Sequence, residues 1–146
     1  MNSKYNITEK KEKAVNYITT MSPAAVEKIY EQIMLKFVVE KKYRDPRYTA
    51  ARMAREIGYN TRYISAVMHL RFRDNFSQLI NSFRVREAMY MLTDKHFSDK
   101  SAEEIGLSTG FSSRQSFYAA FFRMNNMTPV EYRTSMNNKK HKSDKK

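Results

Sequence analysis

Apolar residues recur at helical spacing through most of the chain, and the breaks between runs are short. Ser22-Pro23 opens the first clear run, with Ser suited to a helix cap and Pro to the first turn. Val26, Ile29, Tyr30, Ile33, Met34, Phe37 and Val38 then predict a helix to about Glu40. Residues 41–47, with Pro46, predict a loop. Thr49 caps a short helix carrying Ala50, Met53, Ala54 and Ile57, which stops at Gly58. Tyr59 follows as a plug, and Asn60 or Thr61 caps the next helix. That helix turns Ile64, Val67 and Met68 inward and Arg62, Ser65, Ala66 and His69 outward.

Asn75 starts a long helix over 75–92 whose apolar positions (Phe76, Leu79, Ile80, Phe83, Val85, Ala88, Met89, Met91, Leu92) cover more than one side. A helix flanked by two packed subdomains carries such a pattern. Asp94 to Lys100 predicts a polar loop. A short helix then ends at Gly110, Phe111 plugs, and Ser112 or Ser113 caps a helix with Phe117, Phe121 and Met124 inward. Its opposite face carries Arg114, Gln115, Tyr118 and Ala119. Thr128-Pro129 begins a closing helix to 136. Residues 1–21 are expected to form a flexible arm and the lysine-rich 137–146 a disordered tail.

The two helix-turn-helix stretches, 49–73 and 101–125, are copies of one unit. Thr49, Met53, Ala54 and Gly58 match Ser101, Ile105, Gly106 and Gly110 at one fixed offset. One extra residue in the second turn then brings Ile64 opposite Phe117 and Met68 opposite Phe121. On the outward side Arg62 meets Gln115, Ser65 meets Tyr118 and Ala66 meets Ala119. Inward positions stay apolar while outward ones change, as two copies reading different base sequences would require and as degenerate packing would also produce.

Composition narrows the partner. The net charge is +12, of which residues 1–21 carry +2 and residues 137–146 carry +4, so the middle is basic in its own right. No acidic residue lies between Ile57 and Arg73 or between Ile105 and Val130. A helix that lies among phosphates needs that. The chain has no cysteine, which excludes disulfides, thiolate metal sites and thiol catalysis. No run approaches a membrane span and the N-terminus lacks a signal-peptide core, so a cytoplasmic protein is expected. No carboxylate or histidine constellation suggests catalysis, and His96 and His141 lack partners at ligand spacing. Neither an enzyme, a metal nor a cofactor is expected.

The segment Gly110-Phe111, Ser112-Ser113, Phe117 through Phe121 and Thr128-Pro129-Val130-Glu131-Tyr132-Arg133 resembles the second helix-turn-helix of the AraC-type bacterial transcription regulators. Arg84-Val85, Ala88 and Met91-Leu92 resemble that family's connecting helix. The resemblance covers about Thr49 to Arg133, within an expected DNA-binding domain over 22–136. Three positions depart from it. Arg73 and Asn126 stand where the family turns on Gly, and Gly106 replaces a helical Ala. The resemblance implies an all-α fold of about seven helices, with two helix-turn-helix subdomains joined by a long central helix. It also implies a sequence-specific regulator whose two recognition helices enter successive major grooves of double-stranded DNA, about 34 Å apart.

Carried over position by position, the base-facing residues are Thr61, Arg62, Ser65 and Ala66 in the first copy. In the second they are Arg114, Gln115, Tyr118 and Ala119, with His69 and Ser116 completing the DNA-binding set. Arg62 and Arg114 suit guanine, Gln115 suits adenine, and Ala66 and Ala119 suit a thymine methyl. Tyr118 also suits covering the core edge. His69, Arg71, Arg73 and Arg123 are expected to meet phosphate or solvent, and Arg84 and Arg133 to form internal salt bridges with Glu87 or Glu131. RNA polymerase is a further candidate partner, and a monomer is expected ahead of a dimer. Only 48 residues precede Thr49. The expectation is therefore a stand-alone module, the alternatives being the output module of a larger sensor regulator or a non-specific nucleoid or RNA-binding protein.

Overall fold

Short polar side chains set the helix starts. Ser22 accepts from Ala25 N, Thr49 from Arg52 N, Asn60 from Tyr63 N and Ser113 from Ser116 N, each at 3.1 Å. Ser101 and Glu104 close a full capping box, and Asn75 and Gln78 exchange the equivalent pair of bonds. In this computed structural model, which describes residues 20–144, the resulting helices are α1 (Pro23–Met34), α2 (Ala50–Ile57), α3 (Thr61–Phe72), α4 (Phe76–Thr93), α5 (Ala102–Ser108), α6 (Arg114–Asn125) and α7 (Pro129–Asp144). No strand occurs among the described residues. The all-α fold with two helix-turn-helix segments and a long intervening helix is the one expected. Most of the arm expected over 1–21 lies outside the described residues.

Several boundaries differ from expectation, among them the polar loop expected from Asp94 to Lys100, where Lys95–Phe97 forms a 3-10 turn. The stretch Leu35–Val39 continues α1 as a π-helical turn rather than as regular α-helix. Residues Lys42–Arg44, expected as loop, form a 3-10 turn. Residues 137–144 of the expected disordered tail are helical, because α7 runs on to Asp144. No Gly or Pro interrupts the chain after Pro129, lysine tolerates a helix well, and Lys140 Nζ donates to Thr93 O at 2.6 Å.

The chain divides into two units. Among the described residues, one comprises those up to Lys42 with Arg47–Leu79, the other Tyr43–Pro46 with those from Ile80 onward. In the first, α1 packs against α2 and α3. Val26, Ile29, Ile33 and Phe37 meet a core that includes Met53, Ile64, Val67 and Met68. Tyr30 stacks on Phe72, and Phe76 lies against both Phe37 and Tyr48. Glu56 gathers charge on this unit, with Lys36, Lys42 and Arg52 at 3.5–3.8 Å and the Tyr48 hydroxyl at 3.0 Å.

The core of the second unit is Val85, Ala88, Leu92, Ala102, Ile105, Phe111, Phe117, Ala120 and Phe121. Arg84 ties residues 43–45 into it. Its Nε donates to Tyr43 O at 2.7 Å, Nη2 to Asp45 O at 3.1 Å and Nη1 to Asn81 Oδ1 at 3.2 Å, and the guanidinium lies over the Phe111 ring. Burial lowers its pKa, against the opposing pull of Asp45. Arg133 likewise donates to Leu92 O, Lys100 O and Phe97 O. The expected salt bridges of Arg84 and Arg133 are thus replaced by main-chain carbonyls. A planar fork with five donors can tie together carbonyls from several segments at once, which one carboxylate partner would not do. Glu87 instead takes a two-pronged grip from Arg44 at 2.8 Å and the Tyr43 hydroxyl at 2.7 Å.

The repeat is visible in the backbone. α3 ends on Arg73 at φ 57° and α6 on Asn126 at φ 56°, both left-handed, each returning its N–H to the carbonyl four residues back. For Arg73 that conformation costs about 1 kcal/mol relative to Gly. Lys41 adopts the same conformation at φ 51°.

Candidate nucleic-acid interface

In each unit a short helix, a turn and a second helix place one helix with an exposed outer face. The inner face of α6 is fixed by Phe117 and Phe121, both without accessible surface, with Phe111 tilted against Phe117. At about 100° per residue the opposite side must then carry Gln115 and Ala119, with Tyr118 on the flank. Arg114, Gln115, Ser116 and Ala119 are exposed and Tyr118 is half-buried. The Tyr118 ring stands edge-on to Phe117 and supports the Arg114 guanidinium 4.2 Å from its centroid. Tyr118 therefore covers the core edge and also forms a platform for Arg114. Ser116 turns inward to the helix start, donating to Ser113 O at 3.0 Å and accepting from the Ser113 hydroxyl at 3.0 Å. Met124, expected inward, is 43% exposed: beyond Phe121 the helix outruns the short α5 that packs on it.

On α3, Thr61, Arg62 and Ser65 are exposed and His69 is half-buried. Ala66 is a correction. It was expected to face outward and meet a thymine methyl, but it has no accessible surface. Both α1 and α2 pack against α3, so its buried face is wider than a two-helix repeat predicts. Ala119, the matching residue on α6, stays exposed. Arg71, expected to meet phosphate or solvent, is exposed. It bonds to Glu27 and lies 4.9 Å from the Tyr30 ring centroid. Tyr59 is only half-buried, whereas Phe111, its counterpart as a plug, is buried.

The electrostatics of the two helices agree. Neither α3 nor α6 has an acidic residue in its first turn, a feature they share with α1, α2 and α4, whereas α5 carries Glu103 and Glu104 there. The partial positive charge at a helix N-terminus is thus left uncompensated on the two helices whose outer faces are open, and it favours an anion. Among the described residues no cluster of three or more His, Asp or Glu side chains could hold a metal, and no helix is long and apolar enough to cross a membrane. One exposed residue on the outer face of α6 was not singled out from the sequence: Phe122, 51% exposed, which the repeat places opposite His69.

Comparison with known proteins agrees with this geometry. A family model described as a helix-turn-helix domain matches residues 53–135. The melibiose operon regulatory protein of Escherichia coli strain K12 is 29% identical over 104 residues, covering 71% of this chain and 33% of that protein. The chain thus spans about a third of the length of the curated relatives it matches. The C-terminal domain of AraT, a response regulator from Geobacillus stearothermophilus, superposes with a TM-score of 0.64 at 18% identity, covering 80% of this chain and 88% of that one. An AraC-type transcriptional regulator from Chromobacterium violaceum gives 0.62 at 22% identity, covering 77% and 95%. The chain belongs to the AraC-type helix-turn-helix family of DNA-binding transcription regulators.

Proposed function

We propose that the chain is a sequence-specific regulator that inserts α3 and α6 into successive major grooves of double-stranded DNA and reads an asymmetric site. The observation that carries this reading is the contrast between the matched outer faces. Arg62, Ser65 and His69 stand where Gln115, Tyr118 and Phe122 stand in the second copy, while the cap positions and core positions agree. A protein that bound phosphate without regard to sequence would need the charge but not two unlike faces. In this reading Arg62 grips a guanine edge, Gln115 pairs with adenine, and Arg114 reaches a guanine from its Tyr118 platform. Thr61 and Ser65 approach the groove wall, and Arg73 and Arg123 meet phosphate.

Selection of bound sequences from a random DNA pool tests the proposal. It should return one preferred site with two unlike half-sites about 34 Å, one helical turn, apart. Arg62→Ala should then weaken binding to that site by about 1–3 kcal/mol and relax the preference at one base pair. Selection that returns no enriched sequence would favour a non-specific nucleic-acid binder. Uniform weakening by Arg62→Ala on every sequence would make Arg62 a phosphate contact.

A further inference from the structure

The outer face of α6 is apolar where that of α3 is polar, and this difference has a readable consequence. Taking Gln115 as origin, Ala119 lies about 40° to one side around the helix and Phe122 about 20° to the other, so all three share one stripe. Phe117 and Phe121 occupy the buried side. Ala119 is exposed and half of the Phe122 side chain faces solvent. The matched stripe on α3 runs Arg62, Ala66, His69, and there Ala66 is buried, so only hydrogen-bonding groups are presented. The two copies therefore differ in kind: one face donates and accepts hydrogen bonds, and the other adds a phenyl ring and a methyl.

We propose that Phe122 is a specificity-determining residue that packs against the 5-methyl group of a thymine in the half-site read by α6. This rests on the reading of α6 as a recognition helix. The surroundings of Phe122 favour DNA as its partner. Arg114 and Arg123 flank the stripe, and no acidic residue occurs from Ile105 to Val130. The thymine methyl is the one apolar group that base edges present in the major groove, and Phe and Ala are residue types that contact it. Gln115 and Phe122 are seven residues apart, about 10.5 Å along the helix axis, so the two side chains reach different base pairs of one half-site.

The test uses the full chain and its selected DNA site. Each thymine of the site is replaced in turn by deoxyuridine, which lacks only the methyl, and equilibrium binding is measured for the wild type and for Phe122→Ala. Wild type should lose about three- to fivefold at one thymine in the α6 half-site, the scale of one buried methyl. Phe122→Ala should lose a similar factor on the parent site and nothing more when that thymine is replaced. If Phe122→Ala binds the parent site as wild type does, or keeps every deoxyuridine penalty, the inference is overturned while the regulator reading stands. If wild type shows no preferred site at all, both fall. Because the deoxyuridine series needs no protein variant, an absence of any methyl penalty in the α6 half-site also overturns the inference.

Discussion

The ring of Phe117 rests directly on the backbone of Gly106. A Cβ added at Gly106 would overlap Cδ2, Cγ and Cε2 of that ring. In the first copy the matched pair is Ala54 and Ile64, both buried. Each copy joins its two helices through one small and one larger residue, and the second shifts the balance toward the aromatic. Gly106→Ala should therefore destabilise the protein by about 1–2 kcal/mol net, the strain of overpacking exceeding the gain of about 1 kcal/mol in helix propensity. Adding Phe117→Ile, which recreates the Ala54–Ile64 pairing, should recover most of the loss. Urea denaturation of the four proteins of this cycle measures the coupling. Additive effects of the two substitutions would show that the contact does not set the residue at 106.

This pair also shows how far the sequence could be read. Periodicity and caps located α2, α3, α5 and α6, because every start carries a short polar acceptor and both turns carry a left-handed glycine, Gly58 and Gly110. Gly106 looked like a loss of helix propensity, because its reason is a ring eleven residues away. A helical wheel gives the angle of Ala66 but not the neighbours that cover it, here α1 and α2 packed on α3. Arg84 and Arg133 were given carboxylate partners because sequence exposes charges and conceals carbonyls. Phe122 is not legible as a surface residue, because an aromatic beside Phe121 reads as core until its exposure is known.

Arg84 should tolerate no conservative replacement. Its guanidinium satisfies two main-chain carbonyls and one side-chain amide oxygen while lying on Phe111. Gly110 is held nearby at φ 115°, where a Cβ would overlap the Tyr43 carbonyl oxygen, so the packing around residues 43–45 leaves little slack. An ammonium keeps the charge but cannot present a planar fork to acceptors on separate segments. Arg84→Lys should cost about 2–4 kcal/mol, the desolvation of groups left without partners. Thermal unfolding checks this, and a Tm within a degree of wild type would show that the carbonyls find other donors.

Tyr43 gives the protein an alkaline limit. Burial, followed by the hydrogen bond to Glu87, pushes its hydroxyl from an ordinary value near 10 up to about 12. The unfolded chain therefore releases this proton between pH 10 and 12 while the folded chain keeps it. Stability from this group is complete below pH 10 and falls as the pH rises toward 12. A separation of that size corresponds to at most about 2.7 kcal/mol, and screening around this partly solvated cluster brings it to the order of 1 kcal/mol. Tyr43→Phe should be less stable at neutral pH, having lost the bond to Glu87, yet its stability should decline less steeply across pH 10–12. Parallel declines in the two proteins would place the alkaline transition elsewhere.

The stacked pair Arg114–Tyr118 separates positioning from contact on α6. With its guanidinium 4.2 Å from the Tyr118 ring centroid, and that ring braced edge-on by Phe117, Arg114 is held near one orientation before DNA arrives. A flexible arginine loses side-chain entropy on ordering, and a pre-ordered one loses less. Tyr118→Phe keeps the platform and removes only the hydroxyl, so it should bind the selected site within about twofold of wild type and keep its base preference. Tyr118→Ala removes the platform and should weaken binding by about 0.5–1.5 kcal/mol, with relaxed preference at the base pair that Arg114→Ala also relaxes. In the double variant Tyr118→Ala with Arg114→Ala, the two losses should not add. If Tyr118→Phe instead loses as much as Tyr118→Ala, the hydroxyl itself contacts DNA and the ring serves no positioning role.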